Sequence, residues 1–336
     1  MLWNNDFSPY FNITRGTRQG SILSPQFFCI FINDLLLNLK SCEYGVNIGD
    51  DKYESFAYAD DVNVFSSTII GLQELINVCL LYSKAWRFNF GINKTKCMTY
   101  GPNLFAAEPH WRLGTKIIDN TDSLNVLGVV LSADGSATEH VAHRMHKCRS
   151  SFYGLDSAGM PFPGLPIDIK CHLWKSVCRP TLLYGLETIS ISNSMFTTLE
   201  SLQGCSIKKA LGLSKMSHHS KILQALFISK IKPTVQQMAA SLWHSIFNVE
   251  SPLRRLCIFL TSRYILSGEL SAGTLTARLV NMGLSPIQTM VNLSRHNDTQ
   301  VEEDGVIDTL RALILSPDFR NRSSASHIMT SLLTRF

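Results

Sequence analysis

The run FAYADDVNVFS, residues 56–66, sets two carboxylates, Asp60 and Asp61, side by side in an otherwise apolar stretch with strand-like alternation. Asp is depleted from strand interiors. Asp-Asp is also not a favoured central pair for a two-residue turn, which usually takes Gly or Asn. Local structure therefore does not ask for this pair at the tip of a hairpin. Two close carboxylates repel each other unless a cation neutralises them. Hard oxygen donors suit Mg²⁺ or Mn²⁺, and a pair of such ions clamps the attacking and leaving oxygens of a phosphoryl transfer. The bland alternative is an exposed acidic turn without a role, because the dipeptide is common.

Charge placement bears on what such a site would meet. The 336 residues carry a formal net charge of +5. Residues 1–150 hold 13 Lys/Arg against 14 Asp/Glu, and residues 151–336 hold 18 against 12. Within 169–232 the count is 9 against 2. A basic segment in a chain with an acidic pair suits a polyanion held near metal-binding carboxylates. A solvated basic helical surface is the plainer reading of the charge alone. An apolar content of 45% with 17% charged residues argues against bulk disorder. No apolar run reaches the roughly 18 residues of a membrane span. The start, MLWNNDFSPYFNITRG, has neither a basic n-region nor an apolar h-region. The nine cysteines form no C-x-x-C pair and read as reduced thiols, so an intracellular location is expected, with no membrane partner.

The elements that position the pair follow from periodicity. The loop TRGTRQGSILSP carries Gly16 and Gly20, with Ser24 as expected N-cap and Pro25 as first helical residue. Apolar residues at Phe27, Phe28, Ile30, Phe31, Leu35 and Leu39 then predict a buried helix. Residues 44–66 read as strands: EYGVNI, a GDDK turn, YESFAYA, the acidic pair and VNVFSS. Residues 68–88 predict a helix with the stripe Leu72, Leu75, Ile76, Cys79 and Leu80. GINKTKCMTYG (91–101) reads as a turn and a strand, and SLNVLGVVLSADG (123–135) as one strand with a turn. Helices are expected at 137–155, 166–179, 195–211, 220–229 and 234–248, with Gly212 as a C-cap. His140, His143 and His146 recur on one of them and read as a solvated or partly packed face.

With these stretches in order, the chain resembles the reverse transcriptases of non-LTR (LINE-type) retrotransposons. RGTRQGSILSPQFFCIFINDLL (15–36) is similar to the family's template- and nucleotide-contacting loop and helix. FAYADDVNVFS is similar to its YADD metal-binding hairpin. GINKTKCMTYG is similar to its N-x-K-[ST]-K segment, NVLGVVLSADG to its primer-grip region, and PTLLYGLETI (180–189) to a segment that recurs downstream of the polymerase core. The motifs cover about residues 11–215.

The resemblance implies an α+β fold. A partial right-hand polymerase palm (βαββ with the YADD hairpin) would occupy 1–135, a helical thumb or connection 136–250, and a helical C-terminal extension 251–336. It implies RNA-directed DNA synthesis with Mg²⁺ or Mn²⁺ on Asp60 as main ligand and Asp61 in support. The partners implied are an RNA template, a DNA primer and dNTPs. Tyr58 would lie by the primer terminus, and Arg18, Gln19 and Gly20 would face the incoming nucleotide and templating base. Lys94, or less readily Lys96, would serve the pyrophosphate leaving group. Leu127 and Gly128 would grip the primer strand. A glycine-rich loop does let backbone approach a nucleotide closely, and a lysine offsets charge on a leaving phosphate. Taken singly, Gln19-Gly20 is also a loop before a helix, and Lys94 also a surface lysine.

The family pattern includes a further aspartate on a strand well upstream of the loop. Before the loop this chain has only Asp6, in WNNDFSPY, without matching context. Two-metal chemistry by the chain alone is therefore not expected, and the alternative is an inactive product that binds RNA or RNA/DNA hybrid through its basic helices. A palm sheet lacking its first strand would expose an edge and part of an apolar helix face, so self-association is expected.

Overall fold

Proline has no N–H to leave unpaired, and its fixed φ suits a first helical turn. In the computed structural model, helix α1 spans Ser24–Ser41 with Pro25 in its first turn. The described residues are 2–3, 6–7, 16–17, 20–48, 51–100, 109–159, 164–247, 249, 251 and 253–257. Ser24 is not the cap. Leu23 already has helical backbone, no side chain caps the end, and a turn from the Ser21 carbonyl to the Ser24 N–H leads straight into the helix.

Among the described residues the strands all lie in the first 132 positions: β1 (Leu2–Trp3), β2 (Asp6–Phe7), β3 (Val46–Ile48), β4 (Asp51–Tyr53), β5 (Ser55–Tyr58), β6 (Asp61–Val64), β7 (Lys96–Cys97), β8 (Trp111–Leu113), β9 (Lys116–Asn120), β10 (Ser123–Val126) and β11 (Val129–Ser132). The expected strand YESFAYA breaks at the buried Glu54 into β4 and β5. The pairs β1–β2, β5–β6, β8–β9 and β10–β11 are antiparallel. Helices α2 (Ile69–Ala85), α3 (Thr138–Ser157), α4 (Ile167–Leu173), α5 (Arg179–Leu183), α6 (Asn193–Ala210), α7 (His219–Ala225) and α8 (Ile231–Phe247) complete a mixed α/β chain.

Two compact units result, each with its own core. The first is Met1–Ile48, Lys52–Thr95 and Glu108–Asp119; the second is Gly49–Asp51, Lys96–Ala107 and Asn120–Phe336. In the first, Thr68 caps α2 by accepting from the Gly71 N–H at 3.0 Å. Leu75, Ile76 and Cys79 of the expected stripe are buried, and Leu72 and Leu80 half-buried. Leu75 and Cys79 meet Ile32, Leu35 and Leu39 of α1, while Phe31, Tyr82, Trp86, Phe88 and Phe90 form an aromatic cluster alongside. Burial drives the Cys79 thiol up to about 12, leaving it an inert apolar group. On the outer side of α1, Leu23, Phe27, Ile30 and Leu37 are exposed.

The second unit packs α3, α5, α6 and α8 around Leu182, Leu186, Leu199, Ile231 and Val235, none of which reaches solvent. The expected helix 166–179 instead runs on to residue 183 through a π turn at Trp174–Cys178. Pro180 explains it: a proline removes a ladder N–H and crowds the turn before it, and the widened turn takes up the misfit. The Arg179 N–H duly reaches back five residues to Trp174 O. Trp174 is anchored to α6 by a 3.0 Å bond from its indole N–H to Ser206 Oγ. Gly212, at φ 67°, ends α6 with Leu213 N–H on Lys208 O, the glycine stop expected from sequence.

Leu199→Ala removes a side chain with no solvent exposure, so it should destabilise the second unit by about 2–5 kcal/mol. The check is a lowered urea midpoint at unchanged slope.

Candidate metal and nucleic-acid site

The acidic pair sits on the β5–β6 hairpin, whose register pairs Tyr58 with Asp61, Ala57 with Val62, Phe56 with Asn63 and Ser55 with Val64. That register leaves Ala59 and Asp60 as the two-residue loop. Only Asp60 is therefore in the turn; Asp61 opens β6. The positive φ that such loops demand falls on Ala59, at 50°. Directly paired residues share a face. One face carries Tyr58 and Asp61, then Phe56 and Asn63, with Phe56 stacked on Phe65 at 5.3 Å between centroids. The other face turns Val62 and Val64 into the α1–α2 core. Apolar packing on one side thus holds the other side open: Tyr58 is 67% exposed, and Asp60 and Asp61 are both exposed.

The hairpin brings Tyr58, Asp60 and Asp61 together. Lys94 lies elsewhere in the first unit, exposed in the turn closed by its own N–H on Gly91 O at 2.9 Å. Lys96 is exposed on β7. Gly20 stands at φ 84° with open space around it, a conformation that favours glycine. Arg18 and Gln19 lie outside the described residues. The hairpin supplies two hard oxygen donors suited to Mg²⁺ or Mn²⁺; among the described residues no group of three His, Cys, Asp or Glu side chains gathers to hold a metal.

A second cluster lies wholly within the second unit. SLNVLGVVLS is not one strand but the β10–β11 hairpin, with Val126 opposite Val129 and Leu127–Gly128 as its loop. Both loop residues have positive φ, 49° and 81°. Two-residue hairpin loops with this property match the twist of the strands they join. The buried signal was Gly128, half of what such a turn needs; Leu127 disguised the rest.

This tip is held by residues that sequence reasoning left without a role. The Tyr184 hydroxyl donates to Leu127 O at 2.8 Å, and Arg144 donates to Gly128 O at 2.9 Å. The Arg144 guanidinium also lies 5.2 Å from the centre of the Tyr184 ring. A Cβ on Gly128 would come within 3.1 Å of that ring. A Cβ on Gly185 would come within 2.9 Å of Val129 and 3.2 Å of His140. The LG of one motif and the YG of another are thus mutually fitted, across 57 residues from Tyr184 to Leu127.

His140 joins them. It is the buried member of a partly packed face on which His143 is half-buried and His146 exposed; Nδ1 accepts from the Val130 N–H at 3.0 Å, and Nε2 faces Tyr184 O at 3.1 Å. A carbonyl only accepts, so the ring is neutral with its proton on Nε2. Burial lowers its pKa, the bond to Tyr184 O works the other way, and the charges of Arg144 and His143 lower it further.

Comparison with known proteins shows what the chain is similar to. Residues 3–131 match the family model described as reverse transcriptase (RNA-dependent DNA polymerase). The chain is 24% identical over 236 residues to the RNA-directed DNA polymerase from the mobile element jockey of Drosophila melanogaster, covering 68% of this chain and 25% of that protein. It is 24% identical over 211 residues to a Pol polyprotein from the type-1 retrotransposable element R2 of Popillia japonica, covering 60% and 28%. An 87-residue stretch is 36% identical to the Pol polyprotein of the Drosophila melanogaster type-2 element R2DM, covering 26% and 8%. Residues 3–131 are thus similar to reverse transcriptases, and longer stretches of the chain to polymerases of the mobile elements jockey and R2. The chain spans about a quarter of the length of the jockey relative.

Two outcomes follow from the second cluster. Gly128→Ala meets both a left-handed backbone and the Tyr184 ring, so it should lower stability by about 1–2 kcal/mol, read as a drop in melting temperature. His140 binds its proton more readily in the unfolded chain, where its pKa is near 6.5. Its contribution is therefore complete above about pH 6.5 and falls as the pH drops below that value. Denaturant titrations at pH 7.5 and 5.5 should show the loss, and His140→Asn should lack that component.

Proposed function

We propose that this chain is part of an RNA-directed DNA polymerase of the retrotransposon type, acting on a DNA primer annealed to an RNA template. The observation that carries the reading is the β5–β6 hairpin, which presents Asp60, Asp61 and Tyr58 to solvent from an apolar support. The family match over residues 3–131 supports the same reading.

In this reading the hairpin belongs to a polymerase palm, and the helices of the second unit to a thumb. Asp60 is the main ligand of Mg²⁺ or Mn²⁺, and Asp61 assists. When bound, the ion neutralises charge on the transferred phosphate and its leaving group. Tyr58, on the same face as Asp61, rests against the primer terminus. Gly20, with Arg18 and Gln19, lets backbone approach the nucleotide and templating base. Lys94 offsets charge on the departing pyrophosphate. Leu127 and Gly128 grip the primer strand. The segment 169–232, with 9 basic against 2 acidic residues, tracks the phosphate backbone with little sequence preference.

The test is to incubate the chain with RNA template, annealed DNA primer, dNTPs and Mg²⁺. Incorporation that disappears with Asp60→Asn supports the polymerase reading. Salt-dependent binding without incorporation selects a binding role, and absence of both rejects the two together. Asp60→Asn should also weaken Mn²⁺ binding by at least about tenfold in calorimetry. Self-association through the exposed apolar residues of α1 would appear as a concentration-dependent sedimentation coefficient, and Ile30→Glu should abolish it.

A further inference from the structure

Arg144 is a charge without a counter-charge. The residue is 8% exposed. Its contacts are the Gly128 carbonyl and the face of Tyr184, and its Nε has no hydrogen-bond partner among the described residues. No carboxylate pairs with it among those residues. A guanidinium keeps its proton at neutral pH, and a buried, unpaired charge is unfavourable enough that native structures almost always compensate it. The position therefore makes physical sense if an anion completes it.

The surroundings say which kind of anion. Both tip carbonyls are occupied, Leu127 O by Tyr184 and Gly128 O by Arg144. Carbonyl lone pairs repel a phosphate, so tying them down leaves the tip electropositive. The tip is also open: Leu127 is 41% and Tyr184 50% exposed. His140 and His143, the histidines whose titration feels Arg144, add no negative charge. The low dielectric around a buried cation extends its field towards the surface, where exposed charges would be screened.

We propose that Arg144 is an anion-binding residue for the sugar-phosphate backbone of the primer strand, acting at the Leu127–Gly128 tip, and that Tyr184 is the positioning residue that holds this tip in place. The inference rests on the polymerase reading and adds two residues from the helical unit to the primer site. Tyr184 fixes the Leu127 carbonyl and carries the ring on which Arg144 lies; Arg144 supplies the charge.

The experiment measures log affinity against log salt for the full chain and a labelled DNA primer annealed to an RNA template. Arg144→Met and Arg144→Gln keep length and lose charge, and Arg144→Lys keeps charge. The two neutral variants should bind about tenfold more weakly, and the slope should fall by about 0.7–0.9, the share of one phosphate. Arg144→Lys should retain most of the slope. Tyr184→Phe should weaken binding at unchanged slope, because it frees the tip and removes no charge. A merely structural arginine would leave the slope unmoved, and that result in any neutral variant that melts cooperatively overturns the inference. If neither melts cooperatively, wild-type protein is titrated with primers carrying one neutral methylphosphonate near the 3′ end: a slope reduced by that amount at one linkage is expected, and no change at any linkage overturns the inference. Wild-type protein without salt-dependent binding would instead overturn the polymerase reading itself.

Discussion

Both hairpins that carry candidate functional residues turn through backbone that side chains disfavour, with Ala59 at φ 50° and Leu127 at φ 49°. A non-glycine residue in the left-handed region is held there only when the surroundings over-determine it. The surroundings differ in the two cases. Behind Ala59, Val62 and Val64 sink into the α1–α2 core, so the strands are clamped from one face and the turn has little choice. Around Leu127, hydrogen bonds from Tyr184 and Arg144 take the carbonyls that the turn leaves without a strand partner. The first device leaves the two carboxylates exposed. The second ties up the tip carbonyls in hydrogen bonds.

The position of Tyr184 follows from a chain of small causes. Pro180 forces the helical run 167–183 to widen into a π turn. One extra residue in a turn rotates everything downstream by about 100°. The run then stops at Leu183, and Gly185 at φ 75° turns the chain. Tyr184 is left at this corner with its hydroxyl on one hairpin residue and its carbonyl facing His140. The basic segment is thus more than a charged surface, because its corner also sets the shape of a hairpin some 57 residues earlier.

Much of this was legible in the residues, and what was not has a specific reason. The α2 stripe was readable because Leu75, Ile76 and Cys79 repeat at helical spacing and nothing interrupts them. Gly212 was readable as a helix stop because few other roles suit a glycine after an apolar period. SLNVLGVVLS was read as one strand because Leu, Val and Asn all suit strands, and a leucine rarely takes a turn position with positive φ. His140 was placed with His143 and His146 by spacing, yet only His140 is buried. Spacing along a helix says which residues share a face, and not which of them a neighbouring hairpin covers.

By itself the sequence determined that two adjacent carboxylates would stand exposed at the end of a hairpin of otherwise apolar strands, because charged side chains stay in water. The ordered motifs around them carry the likeness to reverse transcriptases. The tertiary structure decided which of the pair occupies the turn, because strand register, not composition, sets loop length. It decided as well that Tyr184, Arg144 and His140 close on the Leu127–Gly128 tip. Those residues are separated by up to 57 positions, and hydrogen bonds and buried charges between such distant residues exist only once packing has brought them within about 3 Å.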